Sequence, residues 1–202
     1  LVKLAVEKGA DAAELARRLI DLLPPENYDA IITNAGGCGS HLKHYTHLLE
    51  QDPAYASKAK LWDTKVRDIH QFLGNITLRT PKASPFESSI TVTYHDSCHL
   101  CHGQKIVLQP RTILNLIPGV SLTELPEANW CCGSAGVYSI TQPEESARLL
   151  ERKVRHIRST GATHLATANP GCHLQIQNAL PDITVVHPMS LLALAYRRES
   201  HT

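Results

Sequence analysis

Residues 90–101 read Ile-Thr-Val-Thr-Tyr-His-Asp-Ser-Cys-His-Leu-Cys, an extended run that stops at a polar, sulfur-bearing turn. Ile90 to His95 is β-branched and aromatic, the composition of a buried strand. The same succession recurs along the chain. Val120 to Leu125 is a weaker strand followed by Cys131-Cys132, and His164 to Ala168 is followed by Cys172. Ile183 to His187 closes the series, and upstream Ala30 to Thr33 is followed by Cys38. Helical segments separate these strands. The clearest runs from Gln142 to about Thr160. There Thr141 and Glu144 have capping-box spacing, Ala147, Leu150, Val154 and Ile157 share one face, and Gly161 stands at the C-cap. Another helix, opened by Asp11 with Glu14, ends at Pro24-Pro25. Strands alternating with helices predict an α/β fold, a parallel sheet flanked by helices.

In a parallel sheet the C-terminal ends of all strands share one edge, where ligands of such folds collect. Cys38, Cys98, Cys131-Cys132 and Cys172 each follow a strand, so cysteines distant in sequence are expected to meet there. Positions at helix N-termini favour the thiolate, the form that soft metals and iron–sulfur clusters bind. Cys98-His-Leu-Cys101 is a C-x-x-C, a spacing shared by zinc pairs, thioredoxin-like redox pairs, and one ligand with a bystander. The close-set cysteines of a bacterial ferredoxin are absent. Adjacent Cys131 and Cys132 do not suit a structural disulfide. His95, His99 and His102 surround Cys98, and His95, ending a strand, is placed to hydrogen-bond the ligands of a metal. His41, His44 and His47 read as a solvated helix face. No H-E-x-x-H, nucleophile elbow or Walker loop occurs, and Gly36-Gly37-Cys38-Gly39 lacks the Lys-Ser/Thr of a phosphate loop.

The 202 residues are 43 % hydrophobic and 19 % charged, an ordinary globular composition. A chain of this size buries roughly 70 % of its unfolded surface and needs no disulfide staples. Lys plus Arg number 20 against 19 Asp plus Glu, a net charge of +1. That balance excludes the basic footprint of a nucleic-acid binder and a polybasic membrane anchor. No apolar run approaches the 18 or so residues of a membrane span, and Leu-Val-Lys-Leu-Ala-Val-Glu is no signal peptide. A cytoplasmic protein, peripheral at most to the inner face of a membrane, is expected. The one methionine is Met189, so a natural N-terminus preceding Leu1 is expected. The chain also echoes itself. Glu14-Leu-Ala-Arg-Arg-Leu19 answers Glu145-Ser-Ala-Arg-Leu-Leu150, and Gly36-Gly37-Cys38 answers Pro170-Gly171-Cys172. The expected organisation is the C-terminal half of a first cysteine-rich repeat with connecting helices (1–73), a linker (74–89) and a complete second repeat (90–202).

Cys98, then Cys131-Cys132-Gly133, then Cys172 resemble the motif of the cysteine-rich "CCG" domain, found in one component of heterodisulfide reductase and in the glycolate oxidase iron–sulfur subunit. Asn129-Trp-Cys-Cys-Gly-Ser-Ala-Gly-Val-Tyr138, Thr167-Ala-Asn-Pro-Gly-Cys172 and Thr33-Asn-Ala-Gly-Gly-Cys-Gly39 are similar to the glycolate oxidase branch. The resemblance implies a duplicated, pseudo-twofold arrangement. It also implies an iron–sulfur cluster of 4Fe-4S type on Cys98, Cys131, Cys132 and Cys172, with Cys38 a further candidate metal ligand and Cys101 a neighbour. The implied role is non-catalytic electron transfer from a flavin-containing subunit of a 2-hydroxy-acid dehydrogenase towards quinone. The implied partners are that flavin subunit, other redox subunits and an N-terminal ferredoxin-like region. One departure matters: Gln175 fills the second position of the C-x-x-C that ends the motif in heterodisulfide reductase relatives. A structural zinc module mediating subunit assembly is the alternative, since thiolates also suit tetrahedral zinc. A thiol-disulfide enzyme using Cys98 and Cys101 is a third.

Overall fold

The computed structural model describes residues 9–200, with side chains from Ala12 onward. The chain divides into two units, the first ending at Ile69 and the second beginning at His70. In the first, helix α1 (Gly9–Leu22) precedes strand β1 (Ile31–Thr33), helices α2 (Gly36–Leu42), α3 (Tyr45–Leu48) and α4 (Ala56–Lys65), and strand β2 (Val66–Asp68). β1 and β2 pair in parallel, Ile31 opposite Val66 and Thr33 opposite Asp68. Ala16 and Ile20 of α1 pack with Tyr45, Ala59, Trp62 and Val66. Tyr45 and Trp62 stack with ring centres 5.5 Å apart. The Asp63 carboxylate accepts the Tyr45 and Thr46 amides at 3.1 and 3.0 Å, satisfying donors that a helix start leaves open. α1 is already helical at Gly9, so Asp11 lies inside it rather than at its cap; the Asp11 side chain lies outside the described residues.

Short helix α5 (Ile69–Gly74) leads into an irregular strap whose Leu78 and Phe86 pack on the core of the second unit. Then follow β3 (Ile90–His95), a π-helical turn (His99–Gly103), α6 (Leu108–Asn115) and β4 (Val120–Thr123). After α7 (Tyr138–Thr141) and α8 (Pro143–Ser159) come β5 (His164–Thr167), α9 (Pro170–Ala179), β6 (Thr184–Val186) and α10 (Pro188–Glu199). The sheet is wholly parallel in the order β4-β3-β5-β6, an α/β fold with helices on both faces. Alternation along β3 sends Val92 and Tyr94 to one core with Ile113, Leu114, Leu191 and Leu192. The opposite core joins Leu165, Val185, Ile157, Ile176 and Leu180 to Cys132 and Cys172. No helix among the described residues is long and apolar enough to cross a membrane.

α8 differs from its expected form in two ways. Thr141 closes α7, its hydroxyl donating to Val137 O at 3.2 Å, and Gln142 is the N-cap without a side-chain bond, so no capping box forms. Pro143 at the first helical position supplies the start instead. Ala147 is exposed, while Ser146 and Lys153 turn inward beside Leu150, Val154 and Ile157. Polar seats, described below, fix this rotation.

Two glycines separate backbone strain from steric collision. Gly161, past the end of α8, has φ +65° and open space where a Cβ would stand. Gly133 has φ +84°, and there a Cβ would strike the Ser146 carbonyl oxygen. Gly161→Ala is expected to cost about 1 kcal/mol. Gly133→Ala adds the backbone collision and is expected to cost several-fold more or to prevent folding; urea denaturation of both variants compares the two.

Candidate metal centre

β3 and β5 are neighbours whose following loops part company, one towards β4 and the other towards β6. Such a divergence opens a crevice at the strand ends. His95 ends β3 and pairs with Thr167 at the end of β5. From β5 the chain runs through Ala168 and Asn169 into α9, putting Cys172 in its first turn. The loop after β4 is the third wall, stitched to the end of β3 by the Asp96 amide donating to Ala128 O at 3.1 Å.

Ala128 O also lies 3.2 Å from His95 Nδ1. A carbonyl can only accept, so Nδ1 carries the proton and Nε2 presents a lone pair. That Nε2 is buried with no hydrogen-bond partner. The donor atoms of His95, Cys132 and Cys172, all buried, lie within 4.8 Å of one another. Asn169 Nδ2 donates to Cys172 Sγ at 3.4 Å. Donation from the Cys132 thiol, assisted by Asn169, holds the Cys172 thiol down at about 5 against the opposing effect of burial. On the other side of Cys132, Cys131 accepts from the thiols of Cys132 and Cys98 and from the Gly133 amide at 3.3 Å. Its thiol is therefore held far below the ordinary cysteine range. Donation to Cys131 and burial push Cys98 up, and donation to Cys131 and Cys172 pushes Cys132 up. Each thiol thus influences the next in the order Cys98, Cys131, Cys132, Cys172.

The walls are rigid. Ser146 Oγ donates to Gly133 O at 2.9 Å and accepts from Gln175 Nε2 at 3.1 Å, locking the 131–133 turn to α9. At Gly171 a Cβ would come within 2.7 Å of Ser134 Oγ, so α9 approaches that turn closely only because the position is glycine. Asp96 takes both terminal nitrogens of Arg111 at 2.8 and 2.9 Å, and the guanidinium lies over the Tyr94 ring. Lys153 is 0 % exposed, its Nζ donating to Glu127 O at 2.6 Å and Ala128 O at 3.1 Å. Burial lowers its ammonium to about 8.

Cys98, Cys131, Cys132 and Cys172 are therefore brought together from three separate segments. Cys101 is buried, with its thiol directed at Asp96 O and Cys98 O and pushed up by burial. Cys38 is exposed in the first turn of α2, in the first unit, and stands outside the three-donor group. His41, His44 and His47 are exposed as expected, although a break at Lys43-His44 divides their helix. The sequence placed His95 around the ligands; its Nε2 instead stands among them. Lys153 and Asn169 went unread, the lysine because a charged residue in an amphipathic helix is ordinarily on the wet face.

The expected 4Fe-4S cluster, and with it the electron-transfer role, is overturned by this donor set. Such a cluster takes four cysteine thiolates spread around a multi-iron body. Here one of the three convergent donors is an imidazole, and the three donor atoms lie within 4.8 Å of one another, the scale of a single ion's ligand shell. A single zinc ion fits. Its Cys and His donors stand about 2.0–2.3 Å from the metal, hence roughly 3.3–3.8 Å apart around a tetrahedral ion. The buried Nε2 of His95, standing beside the Cys132 and Cys172 sulfurs, is a lone pair that such an ion would satisfy.

The cysteine-rich domain family model, CCG, matches residues 3–43 and 92–177, two tandem regions. A probable glycolate oxidase iron-sulfur subunit of Bacillus subtilis is 39 % identical over 81 % of this chain and 37 % of its own length. A component of the CoM/CoB-dependent fumarate reductase of Methanothermobacter marburgensis is 35 % identical over 92 % of this chain and 35 % of its own length. Lactate utilization protein A of Oceanobacillus iheyensis is 31 % identical over 83 % of the chain and 69 % of its own length. The chain thus spans little more than a third of the first two relatives.

The thiol pairing sets a chemical order. In metal-free protein, iodoacetamide is expected to label half-buried Cys131 at a rate nearly constant from pH 8 down to pH 6, because its thiolate persists there. Cys98, held as a thiol, is expected to label more slowly; peptide mass spectrometry after timed quenching reads the order.

Proposed function

From the premise that this chain belongs to the cysteine-rich (CCG) domain family, we propose that it is a structural zinc-binding module that holds subunits of an oxidoreductase assembly together. The observation that carries this reading is the lone pair of His95 Nε2, buried beside two buried thiols. A bound zinc ion supplies a redox-inert crosslink between those donors. His95 brings the end of β3, Cys132 the turn after β4 and Cys172 the first turn of α9. Ala128 O holds the imidazole in its ligating tautomer, and Asn169 steadies the Cys172 sulfur. Cys131 and Cys98 lie on the accessible side, and Cys38 is a separate candidate ligand of the first unit. The names of the relatives support a place beside redox subunits, and the partner we propose is a flavin-containing oxidase subunit.

Purified protein is expected to carry one zinc per chain and no acid-labile sulfide. A strong chelator is expected to lower the melting temperature by about 10 °C, the equivalent of a ligand at roughly a thousand times its Kd in a domain of this size. Chelation is also expected to release the module from its flavin-containing partner in a pull-down. Full thermal stability without metal, together with no zinc uptake, would overturn the proposal.

A further inference from the structure

The loop after β4 holds an uncommon backbone beside the centre. Glu127 has φ +49°, a left-handed conformation that residues with a Cβ rarely adopt. Three side chains of α8 grip the loop around it. His156 Nδ1 donates to Pro126 O at 3.0 Å, and Arg152 Nε to the Glu127 carboxylate at 2.8 Å. Lys153 Nζ donates to Glu127 O at 2.6 Å and to Ala128 O at 3.1 Å. Of the three, Lys153 is the one wholly buried. Taking an ammonium out of water is costly, and an apolar side chain of similar length would fill the same space without that cost. Packing therefore does not account for the charge.

We propose that Lys153 is a positioning residue that fixes the tautomer of His95 and so selects Nε2 as the atom offered to a metal. The inference rests on the zinc reading for its consequence and deepens it, while the tautomer itself exists without metal. A neutral imidazole has two forms, and in water histidine favours the one protonated at Nε2. In that form His95 would turn a hydrogen, not a lone pair, towards Cys132 and Cys172. A fixed acceptor at Nδ1 reverses the preference, and Ala128 O at 3.2 Å is that acceptor. Its direction depends on the turn that carries it. Glu127 O belongs to the peptide plane before Ala128, and Ala128 O to the plane after it. An ammonium bridging both oxygens fixes the two torsions of Ala128 and restrains the strained residue beside it. The Asp96 amide also donates to Ala128 O, at 3.1 Å, but engages only one of the two planes. Lys153 thus acts on the centre through a main-chain oxygen, without touching a ligand atom.

Two-bond proton–nitrogen correlation spectra of reduced, metal-free protein labelled in its histidine rings distinguish the tautomers at about pH 8, where an imidazole is ordinarily neutral. In wild type the His95 signals, assigned by their loss in His95→Gln, are expected to show the form protonated at Nδ1. Lys153→Met is expected to raise the share protonated at Nε2 several-fold. It is also expected to bind zinc about tenfold or more weakly in competition with a chelator, within the range for residues supporting metal ligands. Adding Glu127→Gly to Lys153→Met is expected to restore part of the Nδ1 form, because glycine adopts positive φ without strain. A lysine that served packing alone would show no such rescue. Should Lys153→Met fail to melt cooperatively, Lys153→Gln, too short to bridge both carbonyls, takes its place in the same spectra. Protonation at Nε2 in wild type, or an unchanged tautomer in the lysine variant, overturns the inference. Wild type that shows the expected tautomer and its shift but takes up no zinc overturns the zinc reading alone.

Discussion

One backbone oxygen, that of Ala128, organises the centre. It accepts from the Asp96 amide at 3.1 Å, from His95 Nδ1 at 3.2 Å and from Lys153 Nζ at 3.1 Å. The first bond ties the loop after β4 to the end of β3, the second fixes which imidazole nitrogen has a lone pair to give, and the third seats a buried cation. A carbonyl has two lone pairs, so three donors on one oxygen are each weaker than a pair alone would be. Lys153 offsets this with a second acceptor, Glu127 O at 2.6 Å. The site is thus referenced to main chain, which shifts only if the sheet edge shifts.

That reference works because the fold has already met the cost of assembly. His95, Cys132 and Cys172 belong to three segments far apart in sequence, and in an unfolded chain closing such loops is entropically unfavourable. Parallel pairing of β3 with β5, and of β3 with β4, places all three segment ends on one edge before any ion arrives. The cores on either face of the sheet supply that stability, and Cys132 and Cys172 are themselves members of one of them. Candidate ligand and core residue are therefore the same side chain. Loss of the ion would be felt as loosening of packing as well as loss of a crosslink.

The legible and illegible parts of the sequence divide along physical lines. Ile90–His95 could be read in full because a central strand buried on both faces must be continuously β-branched or aromatic. Val66–Asp68 could not, being three residues joined directly to a helix. The sulfurs could be gathered from sequence because their position after each strand follows from topology alone. What they hold could not, because residue spacing does not fix sulfur-to-sulfur distance, and the donors that converge prove to be two sulfurs and an imidazole. His95 was visible as a residue near the site, but which of its nitrogens is left with a lone pair is decided by Ala128 O, a main-chain atom with no sequence signature. Lys153 was invisible for a related reason: its seat consists of two carbonyls.

Gln175 links the departure from the family pattern to the nature of the centre. Where heterodisulfide reductase relatives complete a C-x-x-C, this chain has an amide that donates to Ser146 Oγ at 3.1 Å, and Ser146 in turn donates to Gly133 O at 2.9 Å. The exchange removes a sulfur that a larger cluster would use and puts in its place a neutral lock on the turn carrying Cys131 and Cys132. With Gly133 at φ +84° and Gly171 closely apposed to Ser134, that turn is held against α9 at a separation that brings the Cys132 and Cys172 sulfurs within 4.8 Å. A site closed by such a lock suits one small ion of fixed geometry. It is poorly suited to a multi-iron body, whose ligands must stand apart by the width of the cluster itself.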